Sequence, residues 1–195
     1  MGSFNGSLSS LSAVDLGVAA VKAVIEDAGI DSNAVDEVIF GCVLTSGVGQ
    51  APARQIALGA GLSQKTQAMT VNKVCSSGLK AVMLAANEIL LGNANAIVAG
   101  GTESMSQAPY LLSKMRAGAK LGHSKAEDSI LKDALWDVYN DTHMGNCAEM
   151  CAEEFSLSRE DQDSFAIESY KRANQAIASG AFKNCLLYTS DAADE

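Results

Sequence analysis

Residues 69–91 read Met69-Thr70-Val71-Asn72-Lys73-Val74-Cys75-Ser76-Ser77-Gly78-Leu79-Lys80-Ala81-Val82-Met83-Leu84-Ala85-Ala86-Asn87-Glu88-Ile89-Leu90-Leu91. The pattern changes once. Met69, Val71 and Val74 form a short β-type run that meets Cys75. Beyond Gly78 the apolar residues Leu79, Val82, Met83, Ala86, Ile89 and Leu90 recur at helical spacing, which predicts one apolar face. Ser76 and Ser77 are good cap residues, because a serine oxygen accepts from the free N–H groups of a first helical turn. The stretch is therefore read as strand, Cys75, helix. The unpaired N–H groups and positive dipole end of a helix favour an anion, and a thiol placed there is favoured as thiolate, the nucleophilic form. Cysteine is also commonly buried as a small apolar residue. On geometry alone, nucleophile and packing residue both stay open for Cys75.

Working outward, the same alternation recurs. Ser12-Ala13-Val14-Asp15 reads as a capping box with Asp in the acidic position. Val14, Val18, Val21 and Ile25 follow at helical spacing, and Gly29 is a C-terminal stop. Glu37 to Val43 is a near-continuous apolar run that suits a strand buried on both faces. Pro52 fits the first turn of a helix through Leu58, ended by Gly59-Ala60-Gly61. Ala96 to Gly101 is a further buried strand. Helices alternating with buried strands give the fold class: α/β, layered, with a mostly parallel sheet. Residues 106–142 are weakly periodic, with scattered glycines and charges, and a loop of that length is usually functional. Met144–Phe155 and Arg159–Ser179 read as two helices, the second capped by Ser158 with Glu160, Asp161 and Asp163 in its first turn.

The formal net charge is −9 and 48% of residues are hydrophobic. That is enough for a core, and the acidic balance argues against nucleic acid, whose phosphates need a basic surface. No run reaches the length of a membrane helix. Five widely spaced cysteines and no signal peptide predict reduced thiols in an intracellular compartment. Cys147 and Cys151 share a helical face, yet no Cys-x-x-Cys or His-x-x-x-His accompanies them, so no metal site is expected and both read as small packing residues. Gly100-Gly101 is not a phosphate-binding loop; close backbone packing accounts for it.

Four motifs together resemble the thiolase family, in the family's order. They are Gly41-Cys42-Val43 with Gly49-Gln50-Ala51-Pro52-Ala53-Arg54; Asn72-x-x-Cys75-Ser76-Ser77-Gly78; Ala99-Gly100-Gly101-Thr102-Glu103-Ser104-Met105-Ser106; and His143-Met144-Gly145-x-x-Ala148-Glu149. The resemblance runs from residue 2 to about residue 184. It implies a thiolase-like layered fold with part of an inserted loop domain: an incomplete N-terminal α/β domain over 1–105, the first part of the substrate-covering loop domain over 106–184, and an unmatched tail over 185–195, read as foreign sequence from a junction or frame error. The first core strand and the Arg-Thr-Pro turn that precede Gly-Ser-Phe-Asn-Gly in the family have no counterpart before Gly2-Ser3-Phe4-Asn5-Gly6, so the chain is expected to be truncated at its start.

By the resemblance, the reaction is condensation of two acetyl-CoA molecules to acetoacetyl-CoA and CoA, or the reverse thiolysis, with Cys75 as the nucleophile that becomes acylated. His143 and Met144 fall where acetoacetyl-CoA-specific members carry His-Met beside the acyl and pantetheine end of the pocket, which favours short-chain substrates; the other reading of a lone His near a helix start is a surface or capping residue. Coenzyme A would be substrate and product, with no separate cofactor. Lys114, Arg116, Lys120 and Lys125 are a candidate basic patch for it, or a solvated loop. Trp136 and Tyr139 read as loop-domain core. The resemblance also implies a homotetramer built from tight dimers, in cytoplasm or mitochondria. The family's activating His in Gly-His-Pro, its second Cys in Cys-x-Gly and its water-holding Asn have no match here, so the 195-residue chain alone is expected not to turn over. The alternatives are a thiolase for longer 3-ketoacyl chains and a non-catalytic fragment that only binds or oligomerises.

Overall fold

The computed structural model describes residues 2–181; the tail at 185–195 lies outside them. The described chain divides into two compact units between Ala134 and Leu135, so that 106–134 groups with the first.

The first unit is built on three parallel strands, β1 (Glu37–Gly41), β2 (Gln67–Val71) and β3 (Ile97–Gly101), in the order β2-β1-β3. Glu37 pairs with Gln67 and Ile97, and Gly41 with Val71 and Gly101, so all three strands end level. Helix α1 (Ala13–Ala28) precedes β1, α2 (Pro52–Gly59) links β1 to β2, and α3 (Ser77–Leu90) links β2 to β3. The crossover to β2 and the crossover to β3 leave in opposite directions, and their helices pack on opposite faces.

Alternation along β1 decides what each face holds. Val38 and Phe40 join Val21, Val35, Ala53, Ile56, Ala57 and Leu62 under α1 and α2. Ile39 faces the other way, onto Ala81 and Ala85 of α3. Val38, Ile39 and Ile56 have no exposure, and each buried side chain of that size contributes about 1.5–3 kcal/mol. β1 is buried as its composition predicts, whereas β2 and β3 are half-exposed.

Local signals hold where chemistry demands them. Ser12 accepts from the Asp15 N–H and the Asp15 carboxylate accepts from the Ser12 N–H, closing the capping box; Gly29 ends α1 in the left-handed conformation at φ 63°. Pro52 stands at the start of α2.

α3 corrects the sequence reading. Its buried residues are Ser77, Ala81 and Ala85, a stripe of small side chains four apart that lets the helix lie close on β1 and β3. Leu79 is 66% exposed and Leu90 84%, with Val82, Met83 and Ile89 exposed beside them. The large apolar residues do lie together, but on the side turned away from the sheet.

The second unit holds a two-residue ladder, Trp136–Asp137 against Thr142–His143, and the helices α4 (Met144–Glu154) and α5 (Arg159–Ala178). Ser158 caps α5 in a full capping box with Asp161.

Candidate active site

Because β1, β2 and β3 are parallel and end level, their following loops gather on one edge. In open α/β sheets the carboxyl edge is where ligands bind. The three loops carry Cys42, Cys75 and Glu103.

The loop after β2 is a strained turn. Val74 has φ 48°, left-handed backbone that a β-branched residue seldom adopts and that costs on the order of 1–3 kcal/mol. Hydrogen bonds within the turn hold it. The Val74 N–H donates to Asn72 Oδ1 (2.9 Å) and the Ser77 hydroxyl donates to the Val74 carbonyl (2.6 Å). The Lys73 N–H donates to Ser77 Oγ (2.8 Å), and the Ser76 N–H to the Lys73 carbonyl (3.1 Å). Cys75 follows at once and is exposed.

Serine is used differently here from what its propensity suggests. Ser76 occupies the N-cap position of α3 but makes no side-chain cap bond. Ser77 is already inside the helix, buried, with its hydroxyl spent on the turn. The amino end of α3 beside Cys75 is therefore left without a side-chain cap; the Ser76 and Ser77 N–H groups donate to the Lys73 and Val74 carbonyls (3.1 Å each), and the N–H groups of Gly78 and Leu79 are those left without an intrahelical partner.

Three glycines seat this turn on the sheet. A Cβ on Gly41 would lie 2.5 Å from the Ser77 carbonyl carbon and 2.6 Å from the Gly78 nitrogen; a Cβ on Gly101 would meet the Gly41 carbonyl oxygen at 3.2 Å and Gly78 Cα at 3.4 Å. Backbone thus packs on backbone where α3 begins, which is the close approach expected of Gly100-Gly101, realised at Gly101.

The loop after β1 is governed by Glu103. Its carboxylate accepts from the Val43 N–H (2.8 Å), the Leu44 N–H (3.0 Å) and the Cys42 thiol (3.6 Å). Cys42 is 1% exposed. Burial, then the neighbouring Glu103 charge and its hydrogen bond, push the Cys42 thiol up to about 12. Two further bonds tie this loop to the next: the Cys42 N–H donates to the Val71 carbonyl (3.1 Å), and Asn72 Nδ2 makes a long contact of 3.5 Å with the Val43 carbonyl.

In the second unit His143 is half-buried and acts as the N-cap of α4: its Nδ1 accepts from the Gly145 N–H (2.9 Å). With Nδ1 the acceptor, the neutral imidazole carries its proton on Nε2. Met144 opens the helix and is exposed. Trp136 pairs in register with His143 and donates its indole N–H to Asp141 (3.0 Å). Trp136 and Tyr139, read from the sequence as core, are exposed instead, Tyr139 by 93%. Cys147 is half-exposed near the Asp137 carboxylate and Cys151 is exposed, so neither packs in an apolar interior among the described residues.

Glu103, Asn72 and Ser77 are residues whose positions in the site residue-type reasoning did not supply. The available signal was positional: each follows a strand of the parallel sheet within a few residues, and parallel strands send such residues to one edge.

Comparison with known proteins places the chain in a family. The chain is 52% identical over 184 residues to an acetyl-CoA acetyltransferase of Yarrowia lipolytica, covering 94% of this chain and 46% of the relative. It is 53% identical over 182 residues to acetyl-CoA acetyltransferase 2 of Arabidopsis thaliana, covering 93% and 45%. It is 55% identical over 184 residues to the mitochondrial acetyl-CoA acetyltransferase A of Xenopus laevis, covering 94% and 43%. The chain thus spans about half the length of the curated relatives it matches. Residues 1–191 match the thiolase N-terminal domain, a match that runs on past Asn184. With an α/β sheet whose carboxyl edge presents Cys75 at the mouth of a helix, the chain belongs to the thiolase family.

Proposed function

We propose that this chain carries the nucleophile of an acetyl-CoA C-acetyltransferase, which condenses two acetyl-CoA to acetoacetyl-CoA and CoA or runs the reverse thiolysis. The observation that carries this reading is an exposed thiol on a strained turn at the uncapped amino end of a helix. The Cys75 thiolate attacks the thioester carbonyl carbon; the new C–S bond forms, the bond to the CoA sulfur breaks, and CoA leaves as a thiolate that takes up a proton. The product is an acetyl-enzyme, the covalent intermediate of ping-pong transfer. Negative charge develops on the carbonyl oxygen during the attack, and N–H groups at the start of α3 are suited to receive it.

Coenzyme A enters as substrate and leaves as product, with no separate cofactor. Support for where its phosphates bind comes from Lys114, Arg116, Lys120 and Lys125, all exposed, with Arg116 on the rim of an open hollow of about 550 Å³ lined also by Leu111, Leu112, Ser113 and Met115. His143 and Met144 are assigned to the acyl and pantetheine end of the pocket: the capping bond fixes the imidazole and leaves Nε2–H as a donor for a thioester or amide oxygen. A cytosolic or mitochondrial setting follows the names of relatives, which include cytosolic and mitochondrial acetyl-CoA acetyltransferases; a short-chain preference, a role in lipid metabolism and a homotetramer of tight dimers are what the family resemblance implies.

Incubation with acetyl-CoA, acid quenching and peptide mass spectrometry test the reading. One acetyl group on the Cys75 peptide, absent in Cys75→Ala, is expected from acetyl-CoA, and acylation of Cys75 is expected to be faster from acetoacetyl-CoA, which leaves an acetyl group, than from a long-chain 3-ketoacyl-CoA, which would leave its long acyl chain. Acetyl groups distributed over lysines with none on Cys75 would overturn it.

A further inference from the structure

The carboxylate of Glu103 ties the loop after β3 to the loop after β1, whereas the nucleophile lies on the loop after β2. We infer that Glu103 is a positioning residue for Cys75, acting through the backbone of Val43 and the side chain of Asn72. This rests on the reading of Cys75 as nucleophile and names the part that holds it in place.

The connection can be followed atom by atom. Glu103 accepts from the N–H groups of Val43 and Leu44 through its two different oxygens, 2.8 and 3.0 Å away. Bidentate capture of two successive amides fixes the plane of the peptide between them, and charge-assisted bonds of this kind are about twice as strong as neutral ones. That peptide plane carries the Val43 carbonyl, which is the oxygen facing Asn72 Nδ2. With Nδ2 so directed, Asn72 Oδ1 is turned to the Val74 N–H, the group that must be held if Val74 is to stay at φ 48°. Cys75 is the next residue. A second tie, from the Cys42 N–H to the Val71 carbonyl, anchors the two loops at their feet, so rotation of the Val43 peptide is transmitted to Asn72 rather than absorbed by sliding. Glu103 itself is steadied by its own loop: the Thr102 N–H donates to the Gly41 carbonyl (3.0 Å) and the Thr102 hydroxyl to the Ala13 carbonyl (2.7 Å).

The arrangement also explains the acid. Val43 and Leu44 leave β1 with N–H groups that have no strand beside them, and Leu44 is buried; unsatisfied buried donors are costly. A neutral amide in place of Glu103 would present one oxygen and one N–H donor to two N–H donors, so one of the bonds is lost and an N–H faces an N–H.

The test uses the chain with Glu103→Gln and Asn72→Ala, singly and together, and two readouts. The first is single-turnover acetylation of Cys75 by acetyl-CoA, which separates the limiting rate from the half-saturating concentration. The second is amide hydrogen exchange at Val74, with Ile39 as the core reference. Each single variant is expected to lower the limiting rate between about ten- and a hundredfold, the size of a small misplacement of a reacting group, with half-saturation unchanged. Val74 should exchange at least about tenfold faster than in the parent while Ile39 keeps its protection. The double variant should be no worse than the poorer single, because both changes cut one chain of contacts.

Parent-like rates and Val74 protection in Glu103→Gln overturn the proposal while leaving Cys75 as nucleophile. Additive losses in the double variant overturn it too. A parent chain that never acetylates Cys75, and whose Cys75 iodoacetamide labels no faster than Cys42, removes the nucleophile reading and this proposal with it. Should Glu103→Gln fail to fold, Asn72→Ala decides alone, since Asn72 is exposed and outside both apolar clusters: a parent-like limiting rate there overturns the proposal.

Discussion

Two neighbouring loops each place a cysteine just beyond the end of a parallel strand, and the two thiols meet opposite conditions. Cys42, after β1, is buried and faces a carboxylate. Cys75, after β2, is exposed where a helix begins. The two strands end level, and Cys42 follows at once whereas Cys75 stands on a short turn further on. What differs is the next element: β1 runs into a loop whose N–H groups are taken by Glu103, whereas the turn after β2 leads into α3. A thiol beyond a strand end stays exposed where the chain goes on into the amino end of a helix, and is buried where an acid gathers the loop's N–H groups on the same edge.

The sharpest way to break this contrast is chemical labelling. At pH 8 a thiol titrating at about 12 holds on the order of one thiolate in ten thousand, and Cys42 is also shielded. Iodoacetamide should therefore modify Cys75 at least about a thousandfold faster than Cys42, measured by quenched digestion and mass spectrometry; comparable rates would erase the distinction. Next in size is Gly41→Ala. Its Cβ would lie 2.5 Å from Ser77 backbone, and backbone cannot rotate away, so a loss of about 2–3 kcal/mol in urea unfolding is expected, with Cys75 labelling altered as α3 lifts. Ser77→Ala removes both hydroxyl bonds to the turn and leaves the Lys73 N–H without its acceptor; about 1–2 kcal/mol is expected in the same assay, with faster amide exchange at Lys73.

The smallest effect is electrostatic. In the unfolded chain Cys42 titrates near 9.0 and in the folded chain near 12. Below about pH 9 both states keep the proton and no pH dependence arises. Between about 9 and 12 the folded state holds a proton that the unfolded state has released, so stability falls as pH rises, at up to about 1.4 kcal/mol per unit. Unfolding midpoints of the parent and Cys42→Ala should therefore run parallel near neutrality and diverge from about pH 9, by about 1 kcal/mol at pH 10; parallel curves throughout would show that Cys42 ionises freely.

How much of this was legible follows from the range of the forces. The capping boxes at Ser12 and Ser158, the stop at Gly29 and Pro52 at the start of α2 depend on residues within one turn, and all four appear as their residue types dictate. The strand–Cys75–helix order was equally readable, because a change of period is local. The face of α3 was not. Periodicity finds large apolar residues, but helix-on-sheet contact at this spacing required Ser77, Ala81 and Ala85, whose smallness carries no hydrophobic signal. Trp136 and Tyr139 failed for a related reason: size was read as burial, while the structure exposes both. Glu103 could be placed in a motif but not given partners, since its contacts with Val43 and Leu44 span about sixty residues and exist only once three strands are aligned.

The glycines at 41, 78 and 101 let main chain pack on main chain between the rim of the sheet and the mouth of the helix. The seat of α3 on that rim is thus set by backbone radii. Rotamer motion in the interior below cannot blur it, and core substitutions that preserve the strands can vary without moving the start of the helix.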